Sequence, residues 1–357
     1  MHGANLVKEL LKIDPGIGFF GIGGDMMKEA GVKISHHARN MAIVGIFEVI
    51  NKLSLIRKAM KDMVDLMDAV KPDAVILIDY PDFNMRVAKK AKDRGIKAIY
   101  YISPQVWAWR KGRVKTIAKV VDKMMVVFPF EVPIYRDAGV DVEFVGHPLM
   151  DVVPVDQDRN IARRLLGFGE GDTVIGLLPG SRKKEVEYLL PEMIGAARLI
   201  TEKVAGARFA IPVANTLDNG YIKGFISGPD IDVQLFSGKT YSVMAASDIL
   251  LISSGTATLE AAIAGTPMVV TYRMMPLTYM IGKRLVHLEH GSLPNIVAGK
   301  GIVPELIQGD ATGEKMAEEA LSILNDKERL AGMKRELRGV REALGASGAS
   351  RRAAEVV

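Results

Sequence analysis

The sequence has no cysteine among its 357 residues, so neither a disulfide framework nor a thiolate metal site is available to it. Aromatic residues are scarce at 6%, and no RNP-like or zinc-finger spacing accompanies them. Nucleic acid is therefore disfavoured as a partner. No uninterrupted apolar run reaches the roughly 18 residues that a bilayer span requires. The first residues lack the charged, apolar and small-residue sections of a secretory signal, and no period of roughly 20 to 50 residues repeats. The expectation is a cytoplasmic protein. Its net charge of +5 suits an acidic partner such as a nucleotide or an anionic membrane surface.

What is present is an apolar content of 48%, enough over this length to bury two α/β cores. Short β-rich runs at 17–20, 74–78, 98–102, 124–128 and 142–145 alternate with helical patterns. The pattern resumes at 174–178, 209–213, 233–235, 249–252 and 268–270. Such alternation predicts parallel sheets with helices on both faces. A Pro- and Asp-rich stretch from Gly146 to Asp158 reads as a linker. We expect a first domain over 1–150, a second over 151–330, and a helical tail over 331–357 packing back toward the first. Two doubly wound, Rossmann-like domains would face each other across a cleft, with ligands beyond the C-terminal strand ends. The chain opens on an amphipathic helix with no strand before it, so an upstream central strand is expected.

The most informative stretch runs from Ser253 to Ala262. A strand at 249–252 leads through Ser254, Gly255 and Thr256 into a helix expected over 259–264. Free N–H groups at such a turn attract anions, and glycine lets a phosphate approach the backbone. Glu260, one turn further in, is placed to accept hydrogen bonds from a ribose. An ordinary capped βαβ turn would explain the same residues. Gly16 to Gly21 spells G-x-G-x-x-G but leads into a strand, with no acidic residue about 20 positions on, so it fails as a dinucleotide fingerprint. Asp230-Ile231-Asp232, Asp156-Gln157-Asp158 and His36-His37 lack the context of a metal site, and neither metal nor cofactor is expected.

Several segments together resemble the lipid-A-disaccharide synthase family, inverting glycosyltransferases of the GT-B fold. They are Asp79-Tyr80-Pro81-Asp82-Phe83-Asn84, Ser103 to Arg110, Phe128 to Glu131, Val145 to Pro148, Leu178 to Arg182 and Ser292 to Asn295. Met1 to Ala4 is similar to the end of the family's first stretch, whose strand and G-E-x-S-G-D loop would lie upstream. The resemblance implies a reaction between UDP-2,3-diacylglucosamine and 2,3-diacylglucosamine 1-phosphate (lipid X). Its products are the β-1,6-linked disaccharide and UDP. Rival readings are another UDP-sugar enzyme, such as a UDP-N-acetylglucosamine epimerase, or an inactive nucleotide-binding fragment.

That chemistry needs a base and a cation. Asp79 follows an apolar strand and could deprotonate the acceptor hydroxyl. Asp82 is chemically equal, and the resemblance ranks Asp79 first; either could instead be a turn residue, and Asn84 reads as a helix start. Ser181 and Arg182, in a glycine turn, suit a diphosphate leaving group, although Arg182 could simply pair with Glu185 or Glu187. The expected UDP contacts are Ser181, Arg182, Ser254, Gly255, Thr256 and Glu260, with Asn295 added by resemblance. Ile46, Phe47, Val49, Ile50 and Leu53 give a helix an apolar face wide enough for acyl chains. Trp107, Trp109 and Arg110 combine indoles and cationic charge suited to the anionic inner-membrane surface. A buried helix and a core tryptophan are the respective rivals. Whether a second copy of the chain pairs with the first as a homodimer is left open.

Overall fold

The computed structural model describes residues 1–41, 46–108, 112–226, 228, 230–275, 279 and 289–357, without the side chains of residues 40 and 46–53. Two compact units result, one of Met1–Asp151 with Leu344–Val357 and one of Val152–Ala343. The helical tail is thus divided: helix Lys327–Ala343 belongs to the second unit, and helix Ala349–Val356 to the first.

In the first unit, β1 (Phe20–Gly23) pairs with β2 (Lys33–His37). β3 (Ala74–Ile78), β4 (Lys97–Tyr101), β5 (Lys123–Val126) and β6 (Asp141–Phe144) form a second sheet in that order. Every pairing is parallel. The strand expected at 17–20 begins only at Phe20. β2 escapes the sequence pattern because Lys-Ile-Ser-His-His has no apolar run. Helix Pro81–Lys92 starts three residues before Asn84, which corrects the helix start expected there. The core under the four-stranded sheet holds Phe83, Tyr100, Ile117, Met124 and Tyr135. Helix Ala349–Val356 packs on helix His2–Ile13. Its free N–H groups at 348, 349 and 350 all donate to the Asp151 carboxylate, at 2.5, 3.2 and 3.1 Å. A carboxylate there answers both the unpaired donors and the helix dipole.

The second unit is one parallel sheet of six strands in the order β12-β11-β10-β7-β8-β9. These are β7 (Val174–Leu178), β8 (Arg208–Val213), β9 (Asp232–Ser237), β10 (Ile249–Ser253), β11 (Met268–Tyr272) and β12 (Glu305–Ile307). β7 and β10 are buried at every residue, as strands covered on both faces must be. Gly176 sits opposite Leu250, and a Cβ at Gly176 would collide with the Leu250 side chain. The strand order reverses between β7 and β10, which makes their C-terminal ends the crevice where open α/β sheets take ligands.

Candidate functional site

Ile252 of β10 pairs with Leu178 of β7, so the turns that follow the two strands stand side by side. After β7 comes Pro179-Gly180-Ser181-Arg182, then helix Lys183–Lys203. Gly180 has φ +112°, and a Cβ there would strike Glu185 Oε2. The reason is that Glu185 folds back over the turn. The Ser181 and Arg182 N–H groups donate to its Oε2 at 3.1 and 3.3 Å, and Arg182 Nη1 donates to Oε1 at 2.8 Å. Two amides and a guanidinium converging on one carboxylate make an anion binder, occupied here by the chain's own Glu185. The Arg182 side chain remains 72% exposed. Its pairing with Glu185 is the alternative that the sequence left open.

After β10, Ser254 is held by its N–H on Thr271 O at 2.8 Å and by its hydroxyl on Gly291 O at 3.0 Å. Gly255 is exposed, with open space where a Cβ would stand. Helix Thr256–Ala264 begins three residues earlier than the sequence pattern indicated, because its first turn is polar. Glu260 is half-buried one turn in, and Tyr241 OH donates to its Oε1 at 3.0 Å. Burial pushes the Glu260 carboxyl up. Burial and the Glu260 charge together push the Tyr241 phenol up to about 12. Sequence reasoning missed Tyr241, since only the fold brings helix Thr240–Ala246 against Glu260.

Asn295 is a correction. It is 1% exposed, and its amide is used up inside the unit. Nδ2 donates to Val303 O at 2.9 Å and Glu305 Oε1 at 2.7 Å, while Oδ1 accepts from Ile302 and Val303 N–H at 2.8 and 3.0 Å. With all its valences satisfied, Asn295 shapes the segment before β12 and offers a ligand nothing. A surface hollow of about 380 Å³ lined by Lys300, Val303, Arg329, Met333 and Glu336 opens near the N-terminal end of β12. The turns after β7 and β10 lie at the opposite strand ends.

In the first unit, Asp79 and Tyr80 follow β3 with φ +47° and +46°, consecutive left-handed residues that are neither glycine nor asparagine. Such strain persists only where neighbours impose it. Tyr100 OH and Asn84 Nδ2 both donate to the Asp79 carbonyl at 2.6 Å, and Asp79 N–H reaches Tyr101 O at 3.3 Å. The Asp79 side chain is left exposed, and no ion pair among the described residues engages it. Asp82 is paired with Arg113. The two aspartates thus differ in their pairing.

The rejected motifs have structural employment. His36 pairs with Asp62 and His37 with Asp25, at 2.8 and 3.1 Å. Asp230 and Asp232 pair with Arg198 and Arg208, Asp156 with Arg341, and Asp158 caps helix Arg159–Leu166. Of the expected membrane residues, Trp107 is half-buried and bonded to Glu131. Ile46, Phe47, Val49, Ile50 and Leu53 lie on helix Ile46–Val70 with side chains outside the described residues, as do Trp109 and Arg110 entirely. Among the described residues no helix is long and apolar enough to cross a membrane.

The family model described as lipid-A-disaccharide synthetase matches residues 1–356. A lipid-A-disaccharide synthase of Syntrophus aciditrophicus is 50% identical over 99% of this chain and 93% of its own length. One from Geobacter metallireducens is 47% identical over 100% and 93%. Among solved structures, a UDP-GlcNAc 2-epimerase from Neisseria meningitidis bound to UDP-GlcNAc superposes with TM-score 0.64 at 13% identity, covering 99% and 96%. A calicheamicin glycosyltransferase does so with TM-score 0.63 at 15% identity, covering 99% and 92%. At such identities the structural likeness speaks for the fold alone.

Proposed function

We infer how this chain works from the premise that it belongs to the lipid-A-disaccharide synthase family and is a UDP-sugar-dependent glycosyltransferase of α/β, GT-B-like architecture. It takes UDP-2,3-diacylglucosamine as donor and 2,3-diacylglucosamine 1-phosphate as acceptor. The acceptor 6-hydroxyl attacks the donor anomeric carbon from the face opposite UDP. A C–O bond forms there, the bond to UDP breaks, and the configuration inverts. Asp79 takes the hydroxyl proton as attack proceeds. The Asp79–Tyr80 turn serves this by holding an exposed carboxylate out at a strand end.

The observation that carries the donor half is the anion-binding turn at the β7/β10 reversal. Ser181 and Arg182 hold the diphosphate in place of Glu185, and Arg182 meets the negative charge that grows on the leaving oxygen. Ser254, Gly255 and Thr256 contribute the second set of backbone donors. Glu260, braced by Tyr241, accepts from the ribose hydroxyls. The reaction itself moves a proton and a glycosyl group and calls on no cofactor.

Both substrates carry acyl chains, so the enzyme works at the anionic surface of the inner membrane. The helix carrying Ile46, Phe47, Val49, Ile50 and Leu53 supplies the apolar contact, with Trp109 and Arg110 contributing at the headgroup level; Trp107, its indole N–H taken by the buried Glu131, is left out of that contact. The decisive experiment incubates the chain with donor and acceptor in mixed micelles and follows UDP release together with disaccharide formation. A folded preparation that binds UDP but forms no disaccharide would falsify the assignment. Sedimentation with anionic vesicles, lost at high salt, tests the membrane reading.

A further inference from the structure

Glu131 opens helix Glu131–Arg136 and is 1% exposed. No ion pair among the described residues engages it, and a buried carboxylate is costly unless hydrogen bonds answer its charge. Three donors do so. Ser103 Oγ and Trp107 Nε1 reach Oε1 at 2.5 and 3.1 Å, and Phe128 N–H reaches Oε2 at 3.1 Å. Burial still pushes the carboxyl up to about 7. An apolar side chain of this size would fill the volume at lower cost, so the carboxylate contributes geometry rather than stability.

That geometry fastens the loop after β4 to the loop after β5. Trp107 stands edge-on to Phe130 and Phe128, with ring centres 5.3 and 6.4 Å apart. Phe130 stacks on Phe128 at 5.3 Å, and His147, after β6, meets Phe128 at 5.2 Å. Phe128 is buried, while Trp107 and Phe130 are half-buried and keep surface to offer. Asp79 lies at the same end of the sheet, its N–H on the carbonyl of Tyr101 two residues before Ser103. The result is an aromatic surface with the His147 imidazole at its edge and the Asp79 turn at the same end of the sheet. A pyranose has the matching character, an apolar C–H face bordered by hydroxyls, whereas an acyl chain has no use for the polar rim.

We propose that Glu131 is a positioning residue that fixes Trp107, so that Trp107 and Phe130 receive the apolar face of the acceptor's glucosamine ring beside Asp79. This rests on the assignment of the acceptor and its base to the first unit. Steady-state kinetics of the full chain test it with Glu131→Gln, which keeps the size but not both acceptor oxygens, and Trp107→Phe, which keeps a ring but removes the indole N–H. Both should raise the acceptor KM about tenfold while the donor KM and the UDP-induced melting shift stay put. An unchanged acceptor KM, or equal losses toward both substrates, overturns the proposal. If Glu131→Gln fails to fold, Trp107→Phe decides.

A second readout needs no turnover. In a Trp109→Phe background, Trp107 emission should shift on adding the acceptor without donor, and Glu131→Gln should abolish the shift. If the parent protein releases no UDP, the proposed reaction falls, and the emission titration still judges the platform: no shift with acceptor removes it.

Discussion

At Asp79 the backbone is forced left-handed, at a cost of roughly 1–3 kcal/mol for each such residue, and Tyr100 and Asn84 hold it there through one carbonyl. The arrangement holds an exposed carboxylate while Asp82, three residues on, is tied to Arg113. Asp79→Asn should therefore lower turnover by about 10²–10⁴, the usual worth of a general base, with UDP affinity by calorimetry unchanged. Asp82→Asn should cost far less; equal losses would remove the distinction. On the donor side, Tyr241→Phe removes one hydrogen bond to Glu260 and should weaken UDP binding by about fivefold, near 1 kcal/mol. An affinity unchanged within error would mean that Glu260 does not hold the ribose.

For the elements, the βα turn after β7 depends on Gly180, whose φ of +112° and contact with Glu185 leave no room for a side chain. Gly180→Ala should lower the melting temperature and, by displacing the Ser181 and Arg182 N–H groups, weaken UDP binding as well. Asn295 predicts a contrast. Losing its four bonds in Asn295→Ala should destabilise the second unit by about 3 kcal/mol in urea unfolding. The fraction that remains folded should bind UDP normally, because the amide points inward. A selective loss of UDP affinity would return Asn295 to the site.

Across the first unit, two buried groups pull stability in opposite directions with pH. His147 is lowered to about 4 by burial, with His2 nearby adding to the effect. The unfolded chain then binds more protons below about 6.5, and stability falls as pH drops from there to about 4. Glu131 is raised to about 7, so the folded state holds the extra proton and stability falls as pH rises from about 4.5 to 7. Over the shared window the two effects act in opposite directions. Urea midpoints followed by tryptophan emission should vary less with pH in the parent protein than in either single variant. Glu131→Gln should expose the acid-side loss and His147→Asn the loss at rising pH. Flat profiles in both variants would show that neither group is perturbed by the fold.

The sequence by itself determined the class of this protein. Fully buried strands such as Val-Ile-Gly-Leu-Leu and Ile-Leu-Leu-Ile-Ser read directly as apolar runs, and the glycine and serine turns that follow them are legible too because turn chemistry is local. The resemblance to its family was equally legible, carried by motifs spread along most of the chain. Tertiary structure alone decided what depends on distant segments meeting. It set β10 beside β7, turned Asn295 inward, brought Tyr241 to Glu260 and closed Glu131 over Ser103 and Trp107. Hydrogen bonds fix partners only at about 3 Å, and no spacing along a chain tells which groups folding will bring that close.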